Sequence, residues 1–179
     1  MSDFIEFPKI PRLSRRIVVT EKIDGTNACV FIGEDGEFRA GSRTRWITPD
    51  NDNHGFARWA YEHKDELLAL GPGRHFGEWW GQGIQRGYGL KEKRFSLFNV
   101  SRWLDDAARP ACCHVVPVLY DGQFDGTEIH SALVGLTLAG SAAAPGFMRP
   151  EGIVIYHVAG NLYFKKTIEK DEEPKGRAA

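Results

Sequence analysis

Short runs of β-branched and aromatic residues, separated by turn-forming residues, dominate the chain. Eight such runs predict β-strands: 16–20 (RIVVT), 28–33 (ACVFIG), 37–41 (EFRAG), 74–80 (RHFGEWW), 94–100 (RFSLFNV), 114–120 (HVVPVLY), 152–158 (GIVIYHV) and 161–167 (NLYFKKT). Glu34, Asp35 and Gly36 separate the second and third runs and are typical of a hairpin turn. We therefore expect the chain to open as an antiparallel meander.

Two other segments have the spacing of a helix. The first begins near Asn53, the predicted N-cap, and ends before Gly71, which occupies the position of a C-cap. Its periodic residues are Phe56, Trp59, Ala60, His63, Leu67 and Leu70. The second helix is predicted to begin at Thr127 and to direct Ile129, Leu133 and Leu136 inward.

The order of these elements predicts the fold class. Strands come in runs rather than in regular alternation with helices, which favours an α+β fold with antiparallel sheets flanked by helices over a doubly wound parallel sheet. A chain of 179 residues suits one core, so residues 1–168 are predicted to form a single domain. Residues 169–179 (EKDEEPKGRAA) form a charged tail that is predicted to be disordered.

Composition narrows the class of protein further. No stretch approaches the roughly 20 apolar residues of a membrane span, and the N-terminus lacks the pattern of a signal peptide, so we expect a soluble, cytoplasmic protein. Cys29, Cys112 and Cys113 fit neither a CxxC redox pair nor a zinc knuckle. The net charge of -1 neither supports nor excludes a nucleic-acid partner.

Candidate chemistry begins at residues 21–27 (EKIDGTN), directly after the first strand. A lysine, a carboxylate and a glycine turn lie within four positions there, although an ordinary strand-to-turn connection with a solvated lysine has the same composition. Five further polar clusters follow in order: GSRTRW at 41–46, FGEWWG at 76–81, FSLFNV at 95–100, EGIVIY at 151–156 and YFKKT at 163–167.

This series resembles the motifs of the covalent nucleotidyltransferase superfamily, which contains ATP-dependent DNA ligases, RNA ligases and mRNA capping enzymes. The resemblance spans residues 21–166, and the GTN at 25–27 with the FxxF at 95–98 is most similar to the small phage-type RNA ligases. It implies a nucleotidyltransferase (ATP-grasp-like) ligase core. No OB domain is expected, because only 13 residues follow Lys166.

The resemblance also implies an activity and a set of site residues. We expect an ATP-dependent RNA ligase with a role in RNA repair that forms lysyl-AMP on Lys22, transfers AMP to a 5'-phosphate end and seals that end to a 3'-hydroxyl. Lys165 and Glu151 are the other expected catalytic residues. Nucleotide binding is expected from Glu21, Asp24, Gly25, Asn27, Arg43, Glu78, Phe95 and Lys166.

A metal and a nucleic acid complete the expected site. Mg²⁺ or Mn²⁺ would be bound by Glu151 and Glu78, and Arg45 and Arg86 would contact nucleic acid ends. RNA is favoured over DNA, and an accessory protein could supply substrate grip. No membrane partner is expected.

Several alternatives stay open at this point. Many relatives have two lysines separated by one residue in the last motif, whereas Lys165 and Lys166 are adjacent, so only one can face the site; Lys165 is favoured. Phe95 alone is more typical of a core residue, and Glu151, which follows Pro150, could equally be a turn residue. The alternative functions are a DNA nick ligase and a catalytically silent nucleotide or RNA-end binding module.

Overall fold

Two β-sheets form the framework of the protein, as described by a computed structural model for residues 3–173. The strands are β1 (Arg16–Lys22), β2 (Thr26–Ile32), β3 (Phe38–Ser42), β4 (Trp46–Ile47), β5 (Gly73–Gly81), β6 (Lys93–Leu97), β7 (Cys113–Val115), β8 (Val118–Gln123), β9 (Gly152–His157) and β10 (Leu162–Thr167). The α-helices are α1 (Phe56–Glu62), α2 (Lys64–Leu67), α3 (Val100–Trp103) and α4 (Gly126–Ala139). The predicted α+β class with mainly antiparallel sheets is confirmed.

The smaller sheet has four antiparallel strands in the order β10-β9-β1-β8. Helix α4 packs on one face, where Ile17, Val19, Ile153 and Ile155 meet Leu136. Asp125 caps this helix by accepting a hydrogen bond from the Thr127 backbone N–H at 2.7 Å. The predicted second helix is confirmed, and Ile129, Leu133 and Leu136 all pack toward the sheet.

The larger sheet has six strands in the order β4-β3-β2-β5-β6-β7, and only the β6–β7 pair among the described residues is parallel. One face packs against α1 and α2 through a core rich in aromatic side chains. Phe56, Trp59, Trp79 and Phe95 lie within 5.0–5.7 Å of one another in five ring pairs. Large aromatic areas removed from water stabilise this half of the protein.

A third apolar cluster lies where the two sheets meet. It contains Ile23 after β1, Trp80 on β5, Tyr88 in the loop after β5, and Val116 between β7 and β8, together with Ala144. Because these residues come from both sheets and from the loops between them, the cluster fixes the ends of β1 and β5 relative to each other.

The first predicted helix differs from the observed one at its start and in its middle. Gly55 occupies the N-cap position, and the Asp52 carboxylate accepts hydrogen bonds from the N–H groups of Ala57 and Arg58 at 2.7 and 3.0 Å. The predicted cap was wrong because the Asn53 amide donates instead to Thr26 Oγ1 at 3.0 Å. The helix also breaks at His63 into α1 and α2.

Two predicted strands end differently as well. The run at 114–120 forms two strands in different sheets, because Pro117 lacks the N–H that a continuous ladder needs. The run at 94–100 stops at Leu97, and Asn99 then caps α3 by accepting a hydrogen bond from the Arg102 N–H at 3.2 Å.

The predicted disordered tail is partly ordered. Asp171 accepts a hydrogen bond from the Thr167 N–H at 2.8 Å and pairs with Lys166 at 3.2 Å, so the chain turns after β10. Residues 174–179 of that predicted tail lie outside the described residues. The assignment of residues 1–168 to a single domain stays a prediction. No helix within residues 3–173 is long and apolar enough to cross a membrane.

Candidate active site

Lys22 and Glu151 form the centre of the candidate site. Lys22 is the last residue of β1 and lies opposite Gly152, so the preceding residue on the β9 side, Glu151, is brought beside it. The ammonium group of Lys22 pairs with the carboxylate of Glu151, and the two side chains are 18% and 6% exposed. The pair joins residues 129 positions apart in the sequence.

Gly152 makes this approach possible. A Cβ atom at this position would lie 2.2 Å from the Lys166 carbonyl oxygen and 2.7 Å from the Thr167 Cα. Only glycine therefore lets β10 pack against β9 at the point where Glu151 enters the site.

Glu78 lies next to this pair and is held by the turn after β1. It occupies β5 opposite Asn27, accepts a hydrogen bond from the Asn27 amide at 3.0 Å, and accepts a second from the Gly25 N–H at 3.1 Å. A Cβ atom on Gly25 would lie 2.5 Å from the Trp79 carbonyl oxygen, so a side chain there would push the turn away from β5.

Burial raises the pKa of Glu78 to about 7. The Asn27 amide, the positive charge of Lys22 and the Gly25 N–H all lower this pKa, whereas the negative charge of Glu151 raises it. Lys22, Glu78 and Glu151 therefore interact electrostatically, and Glu78 changes charge near neutral pH. Perturbed carboxylates of this kind are typical of functional sites.

The loop after β5 braces the same turn. Arg86 donates to the Asp24 carboxylate at 3.0 Å and to the Arg149 carbonyl oxygen at 2.9 Å, and the Tyr88 hydroxyl accepts from the Asp24 N–H at 2.8 Å. Arg86 thus ties the turn after Lys22 to the segment before Glu151. In this structure its guanidinium is used within the protein, not on an open surface as expected for a nucleic-acid contact.

Tyr88 supports the site and was not predicted from the sequence. The glycine-rich run at 81–89 is the available signal, because Gly83, Gly87 and Gly89 have positive φ angles and so does Tyr88 itself at 53°. This backbone directs the Tyr88 ring against Trp80 and Phe147 at 5.0 and 4.6 Å.

Glu21 does not reach the candidate site. It points to the other face of β1, where its carboxylate accepts hydrogen bonds from Ser141 Oγ at 2.6 Å and from the N–H groups of Ala142 and Ala143 at 2.8 and 2.9 Å. The expected contact of this side chain with a nucleotide is therefore not seen, because adjacent strand residues alternate in direction.

The two lysines of the last strand also point to opposite faces. Lys165 lies opposite Val154, and Val154 lies opposite Thr20, so these three side chains share one face of the sheet. Lys22 is two residues after Thr20 on β1 and therefore points to the same face. Lys166 lies on the other face and pairs with Asp171.

Phe95 is absent from the site, and Phe98 is the better-placed ring. Phe95 is fully buried in the aromatic core, on the face of β6 opposite to the one that Glu78 occupies on β5. Its expected stacking on adenine is therefore not supported. Phe98 is 36% exposed and donates its N–H to the Phe76 carbonyl oxygen at 3.0 Å, two residues from Glu78. The FxxF spacing contains both rings, but only the pairing of β6 with β5 shows which ring is buried in the core.

Arg43 and Arg45 do not lie on a strand. They occupy the exposed turn between β3 and β4, which the hydrogen bond from the Ser42 N–H to the Arg45 carbonyl oxygen closes at 2.8 Å. Both side chains are exposed there, because this segment turns after Ser42 and does not continue as a strand.

A comparison with protein families decides the identity of the chain. The model of the RNA ligase family matches residues 15–170. The chain belongs to the RNA ligase family.

Solved structures agree with this assignment at the level of the fold. A variant of the Naegleria gruberi RNA ligase solved with ATP and manganese matches with a TM-score of 0.65 and 21% identity, covering 88% of this chain and 51% of that one. A second variant, solved with AMP and manganese, matches with a TM-score of 0.63 and 22% identity, covering 86% and 49%. The chain spans about half the length of these structures. No curated protein sequence matches it.

The carboxylates of this RNA ligase family member suit a metal that arrives with phosphate. Residues 3–173 contain no cluster of three or more His, Cys, Asp or Glu side chains that could hold a metal alone. Glu78 and Glu151 supply hard oxygen atoms at one place, and Mg²⁺ is commonly bound by one or two carboxylates with the remaining positions filled by water and substrate phosphates. The residues present therefore fit such a metal.

Proposed function

We propose that this chain is an ATP-dependent RNA ligase that acts through a covalent lysyl-AMP intermediate on Lys22. The observation that carries the proposal is the Lys22 amine at the end of β1, paired with Glu151 and within the electrostatic influence of Glu78. Membership of the RNA ligase family supports the same activity.

In the first step, the Lys22 nitrogen attacks the α-phosphorus of ATP. The Lys22 ammonium first gives a proton to the paired Glu151 carboxylate, which frees the nitrogen lone pair. A nitrogen–phosphorus bond then forms, the bond to the pyrophosphate oxygen breaks so that pyrophosphate leaves, and the nitrogen loses its second proton to solvent. Glu151 orients the amine toward the nucleotide, since it contacts the Lys22 nitrogen directly. Positioning and charge neutralisation dominate catalysis of phosphoryl transfer, so a fixed amine is the main requirement.

In the second step, a 5'-phosphate oxygen of the nucleic acid attacks the same phosphorus and releases Lys22. The polynucleotide then carries AMP on its 5' end through a pyrophosphate linkage. In the third step, a 3'-hydroxyl oxygen attacks the 5'-phosphorus, a phosphodiester bond forms, and AMP leaves.

The remaining residues have supporting roles in this proposal. Mg²⁺ or Mn²⁺ bound with ATP phosphates at Glu78 and Glu151 would neutralise phosphate charge. The Naegleria structures that contain ATP or AMP with manganese support these ligands for the related fold. Lys165 and Arg43 would contact phosphates, and Phe98, in place of Phe95, would stack on adenine.

Labelling with α-³²P-ATP tests the proposal. The purified chain is incubated with labelled ATP or GTP and with Mg²⁺ or Mn²⁺, then separated by denaturing electrophoresis and digested for peptide mapping. We expect ATP to label a peptide that contains Lys22. The control for substitution of Lys22 is Lys64→Met, which should still be labelled, because Lys64 lies on α2 beside Phe38 and away from Glu151. If the wild-type chain binds ATP without becoming labelled, the chain is a catalytically silent binding module and not a ligase.

A second assay defines the substrate. A 5'-phosphorylated RNA with a 3'-hydroxyl partner is compared with nicked DNA of the same sequence. We propose that RNA is joined faster; faster sealing of nicked DNA would make the chain a DNA nick ligase.

A further inference from the structure

The six-stranded sheet has one face that α1 and α2 do not cover. Because side chains alternate along each strand, the residues opposite to the buried core form a second surface. Over β2 to β5, five large side chains occupy it: Phe31, Arg39, Trp46, Arg74 and Phe76. We call these five residues the aromatic–arginine face.

The rings and guanidinium groups of this face contact one another. The Phe31 and Trp46 ring centroids are 5.7 Å apart, Arg39 lies 5.5 Å from the Trp46 ring, and Arg74 lies 5.1 Å from the Phe31 ring. The Trp46 ring lies across Gly41, where a Cβ atom would be 3.3 Å from two ring carbons. Gly41 thus leaves room for Trp46 to lie on the sheet.

The same rings are open to solvent. Phe76 is 55% exposed and Trp46 is 42% exposed, although both lie on strands. Arg39 pairs with Glu37, but no carboxylate within residues 3–173 forms an ion pair with Arg74. The face therefore combines exposed rings with positive charge, which suits a partner that carries both flat apolar groups and negative charge.

The aromatic–arginine face adjoins the candidate active site. Asn27 and Glu78 lie opposite each other, and the next row on the same face contains Phe76, Cys29, Gly41 and Trp46. The row after that contains Arg74, Phe31 and Arg39. Each row is about 7 Å from the previous one, since two strand residues span that distance.

We propose that the aromatic–arginine face binds an unpaired stretch of the nucleic acid whose end is joined at Lys22. Bases would stack on Phe76, Trp46 and Phe31, and backbone phosphates would contact Arg39 and Arg74. Exposed aromatic side chains interleaved with cations bind single strands with little sequence preference, because every base has a flat face. This inference rests on the proposed function for its substrate, but the binding surface is tested separately.

The test measures binding of a fluorescent single-stranded 5'-phosphorylated RNA by anisotropy. We expect Phe76→Ala and Trp46→Ala each to weaken binding about tenfold, the typical effect of removing one base-stacking ring. We expect Arg74→Ala to lower the slope of log affinity against log salt by about 0.7, the effect of one lost phosphate contact. Labelling of Lys22 by ATP should be unchanged in all three variants.

Matched controls come from the rest of the chain. Phe164→Ala removes a strand phenylalanine with 54% exposure, against 55% for Phe76, from β10 of the other sheet. Arg58→Ala removes an exposed arginine from α1. Neither control should change RNA affinity. Thermal melting checks each variant for folding, and Arg74→Glu serves as a surface variant if Trp46→Ala unfolds.

A duplex of the same length distinguishes stacking from general charge attraction. Its bases are paired, so Phe76→Ala should not affect its affinity. Equal RNA affinities for the wild type, Phe76→Ala, Trp46→Ala and Arg74→Glu would overturn the inference and leave the face to a protein partner. If the wild type is not labelled on Lys22 but the ring variants still bind RNA more weakly than the wild type, the proposed function is wrong and the proposed RNA-binding surface stands.

Discussion

Two buried glutamates, Glu21 and Glu78, differ in what surrounds them. The Glu21 carboxylate, on the α4 side of β1, accepts three hydrogen bonds from neutral donors. The Glu78 carboxylate, in the cleft between the sheets, accepts two neutral hydrogen bonds and interacts with the charges of Lys22 and Glu151. The comparison shows that burial alone does not identify a reactive carboxylate; its charged neighbours and its remaining lone pairs do.

The largest expected effect is that of Lys22→Ala. It removes the nitrogen that attacks ATP, so labelling should fall by at least about 10³-fold in a chain that still folds. Lys22→Arg, which keeps the charge beside Glu151, should be equally inactive. Residual labelling of either variant on another lysine would move the nucleophile elsewhere.

Glu78→Gln should lower the rate of lysine labelling by about 10- to 100-fold, because a carboxylate available to the metal becomes a neutral amide. The wild-type kcat/KM for labelling should rise with pH through about 7 as Glu78 of the free protein ionises, and this rise should be absent from the variant. A pH–rate profile with the same step near 7 in both proteins would contradict the assignment.

The same substitution should change the pH dependence of stability. Because the pKa of Glu78 is raised to about 7 in the folded protein, the folded state holds this proton more tightly than the unfolded chain, in which glutamate titrates near 4.5. The wild type should therefore lose stability as pH rises from 4.5 to 7, and Glu78→Gln should lose less. Thermal melts across that range measure the difference.

Arg86→Met should lower the labelling rate about tenfold, because the turn at Asp24 and the segment before Glu151 would lose their common tie. Arg86→Lys should restore part of the rate, since one donor remains. Affinity for single-stranded RNA should be unchanged in both. If the variants lose RNA affinity but are labelled at the normal rate, Arg86 contacts nucleic acid, as expected from the sequence.

The smallest effect on chemistry is expected for Glu21. Glu21→Met leaves the Ala142 and Ala143 N–H groups without an acceptor and should lower the free energy of unfolding by about 3 kcal/mol. Glu21→Gln retains one acceptor oxygen and should cost less. The labelling rate per folded molecule should be near that of the wild type in both, measured below the melting temperature.

The sequence predicted the elements better than their boundaries. Periodicity located α4 and most strands because local side-chain patterns determine them. It could not show that Pro117 separates strands of different sheets. Nor could it show that Gly55 is the N-cap of α1 and that Asp52 accepts from its first N–H groups, because several local hydrogen-bond arrangements compete there.

The candidate site was predictable in part. The order of the motifs predicted Lys22, Glu78 and Glu151 as site residues, and the structure places them together. The choice between Phe95 and Phe98, and the direction of Glu21, depend on strand register, which spacing along one strand does not determine. The bonds of Arg86 and Tyr88 arise from tertiary contacts that no short pattern specifies.

The ion pair of Lys22 and the hydrogen bonds of Asp24 join distant parts of the chain, so the site forms late in folding. Its direct partner, Glu151, is 129 residues away, and the bonds from Tyr88 and Arg86 to Asp24 span 64 and 62 residues. Contacts between distant parts of a chain form slowly, because the intervening loop must first be closed. A nascent or partly folded molecule would carry Lys22 as an ordinary surface lysine, so transfer of AMP would begin only once both sheets had assembled.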